Sequence, residues 1–108
     1  MTTYTLEQKI ASLCIFGFEG TCQIIKEQIK TLKLGGIILY SRNIASPEQT
    51  KGLNAFFQEG AGDAPVFISV DQEGGKVQRL VPSKGFMGGP SAEEVRQMSL
   101  AEAYEAYA

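Results

Sequence analysis

An α/β fold on a parallel sheet is what this sequence predicts, and two observations predict it. Apolar residues at helical spacing alternate along the chain with short apolar runs of strand length. Val66-Phe67-Ile68-Ser69-Val70 is the best strand in the chain, and Ile37-Ile38-Leu39-Tyr40 is a continuous apolar run of the kind found in parallel strands covered on both faces. Strands that alternate with helices in this way predict right-handed βαβ units.

Each element has a local reason. Thr5-Leu6-Glu7-Gln8 opens a helix with a Thr cap and an acid and an amide in the first turn, and Leu6, Ile10 and Leu13 follow at helical spacing. Cys14-Ile15-Phe16-Gly17-Phe18 loses its polar residues and suits a short buried strand that ends at Glu19-Gly20. Ile24, Ile25, Ile29 and Leu32 mark a second helical face, with Lys26, Glu27, Lys30 and Lys33 outward and Gly35-Gly36 as the stop. The strand 37–40 comes next. Ser46-Pro47-Glu48-Gln49 is a compact helix start: Ser46 caps, Pro47 suits the first position and Gln49 completes a capping box. That helix carries Leu53, Phe56 and Phe57 inward and ends near Gly60. After the turn Gly62-Asp63-Ala64-Pro65 comes the strand 66–70, then a Gly- and Pro-rich loop through Pro90. Ser91-Ala92-Glu93-Glu94 and Ser99-Leu100-Ala101-Glu102 are two more capping boxes, and no stop signal follows the second. Tyr104 and Tyr107 on that last helix read as packing residues.

Composition narrows the functions. The 108 residues fit one ordinary domain, 44% hydrophobic with a net charge of −2. Lys and Arg are scattered among the acids, which argues against nucleic acid. No apolar stretch approaches the roughly 20 residues of a membrane-spanning helix. The start Met1-Thr2-Thr3-Tyr4-Thr5 lacks the basic and apolar blocks of a secretion signal, so a cytoplasmic location is expected. In that reducing compartment Cys14 and Cys22 read as two buried or half-buried thiols. With no His in the chain and no CxxC, no metal site is expected.

In parallel α/β architectures chemistry collects at the carboxyl ends of strands. Three places qualify: Glu19-Gly20, Ser41-Arg42-Asn43 and Asp71-Gln72-Glu73-Gly74-Gly75. The third is the most informative. Asp71 and Glu73, if extended, hold their Cα atoms ~7 Å apart on one side. Two carboxylates so placed can act as acid and nucleophile or base in glycoside hydrolysis, or can hold a ligand hydroxyl and the loop backbone. Gly74-Gly75-Lys76 resembles a phosphate loop, but the earlier Gly would fall at Val70 and no Ser or Thr follows Lys76. The glycines suit a sharp turn and a close approach to a ligand. Arg79 can reach across a pocket mouth with its planar fork of donors. Arg42 and Asn43 either line a polar pocket or knit neighbouring loops. No nucleophile–base pair is present.

Val70-Asp71-Gln72-Glu73-Gly74-Gly75-Lys76-Val77-Gln78-Arg79-Leu80 resembles the signature of the family 3 glycoside hydrolases, in the branch of bacterial β-N-acetylhexosaminidases. Gly35–Ile44 with Ser46-Pro47-Glu48-Gln49, and Gly17-Phe18-Glu19-Gly20, are similar to that family too, whereas 85–108 is so only loosely. The resemblance implies the N-terminal portion of a (β/α)8 TIM-type barrel, about three parallel strands with their helices, the barrel incomplete, across 1–108. It implies an enzyme that removes terminal β-N-acetylglucosamine from cell-wall or chitin-type glycans without a cofactor. Asp71 would hold sugar hydroxyls and Arg79 would contact the substrate, neither being catalytic. The family's nucleophilic Asp and its proton-transferring His belong to later barrel segments, so this stretch alone is expected to be inactive. A short sugar-binding or protein-interaction module without catalysis is the alternative. Either way a partial barrel leaves a sheet edge unpaired, open to self-association or to the remainder of a barrel.

Overall fold

In the computed structural model of the protein, which describes residues 3–107, the chain runs α1 (Leu6–Ala11), β1 (Ile15–Phe16), α2 (Cys22–Leu32), β2 (Gly36–Leu39), α3 (Pro47–Ala61), β3 (Phe67–Val70), β4 (Gln72–Gly74), β5 (Val77–Gln78), α4 (Ala92–Gln97) and α5 (Leu100–Tyr107). Single turns of 3-10 helix follow β2 at Ser41–Asn43 and β5 at Pro82–Lys84. The readings at Met1, Thr2 and Ala108 fall outside the described residues.

The first three strands form one parallel sheet in the order β1-β2-β3. Ile15 pairs with Gly36, and Gly36–Leu39 pair in register with Phe67–Val70. Successive strands are added on the same side, without the reversal of order that marks a doubly wound sheet. With right-handed crossovers that order puts α2 and α3 on one face of the sheet, where they pack against each other. This is how a (β/α) barrel begins. Three strands cannot close one, since closure takes eight.

Alternation along the strands divides the sheet into two unlike faces. The helix-covered face carries Phe18, Ile37, Leu39 and Val66, all buried, with Ile68 and Val70 packed against them. Phe57 from α3 and Ile29 from α2 complete this core. Phe57 is 0% exposed and meets the edge of Phe18 at 5.4 Å between ring centroids. The opposite face carries Ile15, Ile38, Phe67 and Ser69 and is bare: Phe67 is 75% exposed and Ile15 53%. The apolar run 37–40 predicted coverage on both faces. Among the described residues only one is covered.

The capping residues act largely as their chemistry predicts. Thr5 and Ser91 form complete capping boxes with Gln8 and Glu94, and Ser99 exchanges the same two bonds with Glu102. Ser46 accepts from the Gln49 N–H, but the Gln49 carboxamide accepts from Ala45 rather than from Ser46, so that box is displaced by one residue. Gly35-Gly36 does not stop α2. Lys33 does, in the left-handed conformation at φ 58°, its N–H donating to the Ile29 carbonyl. The two glycines answer to crowding instead: a Cβ on Gly35 would lie 2.1 Å from the Ser12 carbonyl oxygen, and one on Gly36 2.9 Å from that of Phe67.

Lys26 is not outward. It crosses to α3, over the Phe56 ring at 4.2 Å and bonded to Glu59 at 2.6 Å, its stem covering apolar surface. Leu6, Ile10 and Leu13 repeat at helical spacing yet stay exposed, as do Leu100, Tyr104 and Tyr107, so the tyrosines are not packing residues within this stretch. Neither α4 nor α5 carries a buried residue. The outline is accordingly long, 50 × 26 × 21 Å, with a radius of gyration of 16.7 Å. A compact domain of 100 residues has about 13 Å.

Candidate functional site

The carboxyl ends of the three parallel strands meet in one polar corner. From β1 come Gly17, Phe18 and Glu19, from β2 Tyr40, Arg42 and Asn43, and from β3 Asp71, followed by the hairpin that brings back Arg79. The alternation that puts Ser69 on the bare face carries Asp71 to the same side.

Asp71 and Arg79, each singled out in the sequence, lie beside one another. Arg79 Nη2 stands 3.8 Å from Asp71 Oδ2, close enough for an ion pair and too far for a hydrogen bond. The Asp71 side chain is 44% exposed and that of Arg79 26%. Arg79 Nε is buried with no hydrogen-bond partner among the described residues. Asp71 therefore keeps acceptor capacity open to solvent, while the unpartnered Arg79 Nε lies beneath the surface beside it.

Gln72, between the two acids, builds the corner. Its Oε1 accepts from the backbone N–H groups of Arg79 and Leu80, each at 3.0 Å, while its Nε2 donates to the Leu80 carbonyl and to Gln78 Oε1. One carboxamide thus fixes the start of Arg79. The segment predicted as loop is here an antiparallel hairpin, β4 with β5, turning at Gly74 (φ 77°) and Gly75 (φ 59°). The glycines supply the sharp turn, but the close approach is to the chain itself: a Cβ on Gly74 would lie 2.1 Å from the Pro90 carbonyl oxygen. Glu73 is exposed on β4, with no hydrogen bond or ion pair among the described residues, and Lys76 is exposed in the turn.

Arg42 and Asn43 knit loops. Arg42 Nε donates to the Phe18 carbonyl at 3.2 Å and lies 3.4 Å from Glu19 Oε1, and Asn43 Nδ2 donates to the same carbonyl at 3.4 Å. Asn43 Oδ1 accepts from the Tyr40 N–H at 2.9 Å. Lys84 Nζ donates to the carbonyls of Ser41 and Ile44, both at 2.6 Å, tying the segment after β5 to the turn after β2. Residue-type reasoning missed Gln72, Lys84 and Tyr40. The signal for Gln72 was present: an amide supplies donor and acceptor together where a loop must be pinned beside a strand end. Cys14 and Cys22 are free and half-buried, apart from this corner.

Comparison with known proteins places this geometry. The model of the glycosyl hydrolase family 3 N terminal domain matches residues 5–108. A beta-hexosaminidase of Alkalilimnicola ehrlichii is 43% identical over 69 residues, 61% of this chain and 19% of its own length. One of Vibrio cholerae is 38% identical over 81 residues, 75% of this chain and 23% of its own. Among solved structures, a glycoside hydrolase family 3 beta-N-acetylglucosaminidase from Paenibacillus superposes with a TM-score of 0.82 at 36% identity, over 96% of this chain and 20% of that one. NagZ of Neisseria gonorrhoeae in complex with N-trifluoroacetyl-D-glucosamine superposes at 0.64 with 30% identity, over 85% of this chain and 26% of that one. The chain spans about a fifth of the length of the curated relatives it matches.

Proposed function

The chain belongs to glycosyl hydrolase family 3, as part of its N-terminal domain, and from that premise we propose that it forms the sugar-gripping corner of a β-N-acetylhexosaminidase-type hydrolase. Asp71 accepts from hydroxyls of a terminal β-N-acetylglucosamine on a cell-wall or chitin-type glycan, and Arg79 donates to the same sugar. The observation that carries the reading is the half-exposed Asp71 carboxylate at the strand ends, 3.8 Å from the Arg79 guanidinium and short of a hydrogen bond to it. The names of the relatives support the substrate class.

This corner binds and does not cleave. Rate acceleration needs groups that act on the transition state, and gripping substrate and transition state alike supplies none. The chain holds no histidine, and neither Asp71 nor Arg79 is paired with a nucleophile. The reacting groups come from other segments of a full-length enzyme, and the unpaired outer edges of β1 and β3 are where its further strands, or a second copy, would add. No helix among the described residues is long and apolar enough to cross a membrane.

Titrating N-acetylglucosamine into the 108-residue chain tests the proposal. We expect weak binding that shifts the resonances of Asp71 and Arg79 and falls about tenfold or more in Asp71→Ala, the loss expected for a hydrogen bond to a charged group. A chromogenic N-acetylglucosaminide should be turned over no faster than in buffer. Unchanged binding in Asp71→Ala would remove Asp71 from the site, and turnover abolished by Glu73→Gln would replace this reading with an Asp71–Glu73 dyad.

A further inference from the structure

We infer that Tyr40 is a positioning residue for Arg79, and that Gly17 is glycine so that the Tyr40 ring can lie where it does. The consequence for sugar binding rests on the function proposed above; the placement of Arg79 does not.

Arg79 has a long side chain with little to fix its far end. Asp71 is too distant for a hydrogen bond, and Nε has no partner among the described residues. The guanidinium carbon lies 5.7 Å from the centroid of the Tyr40 ring, inside the range of a cation–π contact. The guanidinium of Arg42 sits at the same ring, 4.6 Å from its centroid. Two cations beside one ring would repel each other, but each has its own carboxylate: Glu19 at 3.4 Å from Arg42 and Asp71 at 3.8 Å from Arg79. Charges of alternating sign therefore surround one aromatic side chain across three strand ends.

The ring itself is held from two directions. Arg42 is anchored through its Nε to the Phe18 carbonyl, so it offers the ring a fixed neighbour. Just after β1, a Cβ added to Gly17 would fall 2.7 Å from Tyr40 Cε2, a separation that would force the ring to shift. Gly17 has no left-handed backbone to satisfy, since it is absent from the positive-φ glycines. Space for the ring is what its missing side chain supplies. A face of π electrons orients the guanidinium without using its N–H groups, so Nε is shielded while the Nη donors stay uncommitted.

The test follows the arginine Nε–Hε signals of the full 108-residue chain labelled with nitrogen-15. In the unsubstituted protein the Arg79 signal should be displaced upfield by the ring and protected from solvent exchange. Tyr40→Phe should preserve both properties. Tyr40→Leu should remove the displacement and speed exchange by about three- to tenfold, the range that one cation–π contact supports. Gly17→Ala, which keeps the ring but shifts it, should move the signal in the same direction and decides the matter if the leucine variant fails to fold. An Arg79 signal unaltered in a folded Tyr40→Leu or Gly17→Ala protein overturns the inference. Titration with N-acetylglucosamine forms the second arm: affinity should fall in Tyr40→Leu and be retained in Tyr40→Phe. If the unsubstituted chain binds no sugar while the Arg79 signal still follows the ring, the sugar assignment fails and the positioning role stands.

Discussion

The two faces of the parallel sheet are made of the same kinds of residue and have different fates. On one, Ile37 and Leu39 are sealed beneath α2 and α3 with Phe57 and Ile29. On the other, Ile15 and Phe67, which flank Gly36 from the neighbouring strands one residue out of step with Ile37, face solvent. A continuous apolar run specifies two burials, and this stretch of chain satisfies one of them. The helix-covered face holds the fold together, while the bare face fixes where the candidate site emerges, because Asp71 leaves β3 on that side.

Substitutions on the covered face should have the largest effect. Phe57→Ala removes a fully buried ring from the centre of the core and should cost about 3–5 kcal/mol, much of the stability of a small domain. Denaturant unfolding reads this out, and a loss below ~1 kcal/mol would mean that the core lies elsewhere. Gly35→Ala comes next. Its new methyl would collide with backbone rather than with a movable side chain, at an overpacking cost of about 1–3 kcal/mol.

On the bare face the prediction reverses. Phe67→Thr should change stability by no more than about 0.5 kcal/mol, as at an ordinary surface position. A larger loss, together with a sedimentation coefficient that depends on concentration, would show that copies of the chain cover this face in solution. The smallest effect concerns α4 and α5, which belong to neither face. Hydrogen bonds from the backbone and hydroxyl of Ser91 hold the Glu94 carboxyl below the ordinary range, and those of Ser99 do the same for Glu102. A depressed folded-state pKa contributes stability above the ordinary carboxylate value and loses it as pH falls through the lowered one. Helical circular dichroism should therefore decline below about pH 4, while aromatic signals from Phe57 persist. Simultaneous loss of both would show that the end helices and the core unfold as one unit.

Much of the architecture was legible because it depends on local chemistry. Ser46 and Pro47 start α3, Ser91 and Glu94 start α4, and apolar runs of strand length became β2 and β3 in parallel register. Asp71 stood out by its place after a strand and Arg79 as a donor on the segment leaving the turn, and the fold sets them 3.8 Å apart, but their role toward a sugar was implied only by the resemblance. What escaped were matters of approach in space. Gly35 and Gly36 read as a helix stop, yet they yield to Ser12 and Phe67, residues far off in sequence, while the stop falls to Lys33, a residue type with no preference for left-handed backbone. Lys26 read as outward because it is charged, but its stem had Phe56 to cover and its ammonium had Glu59. Tyr40 read as the last residue of a strand. Its use depends on two arginines and a glycine that only the folded sheet assembles.

The Lys84 ammonium, bonded to the carbonyls of Ser41 and Ile44, has a mechanical meaning. It couples the far side of the β4–β5 hairpin to the turn that carries Tyr40, so a push on one loop is transmitted to the other. Under the function proposed above, the segment that follows Arg79 and the turn beside Tyr40 are thereby held to one another.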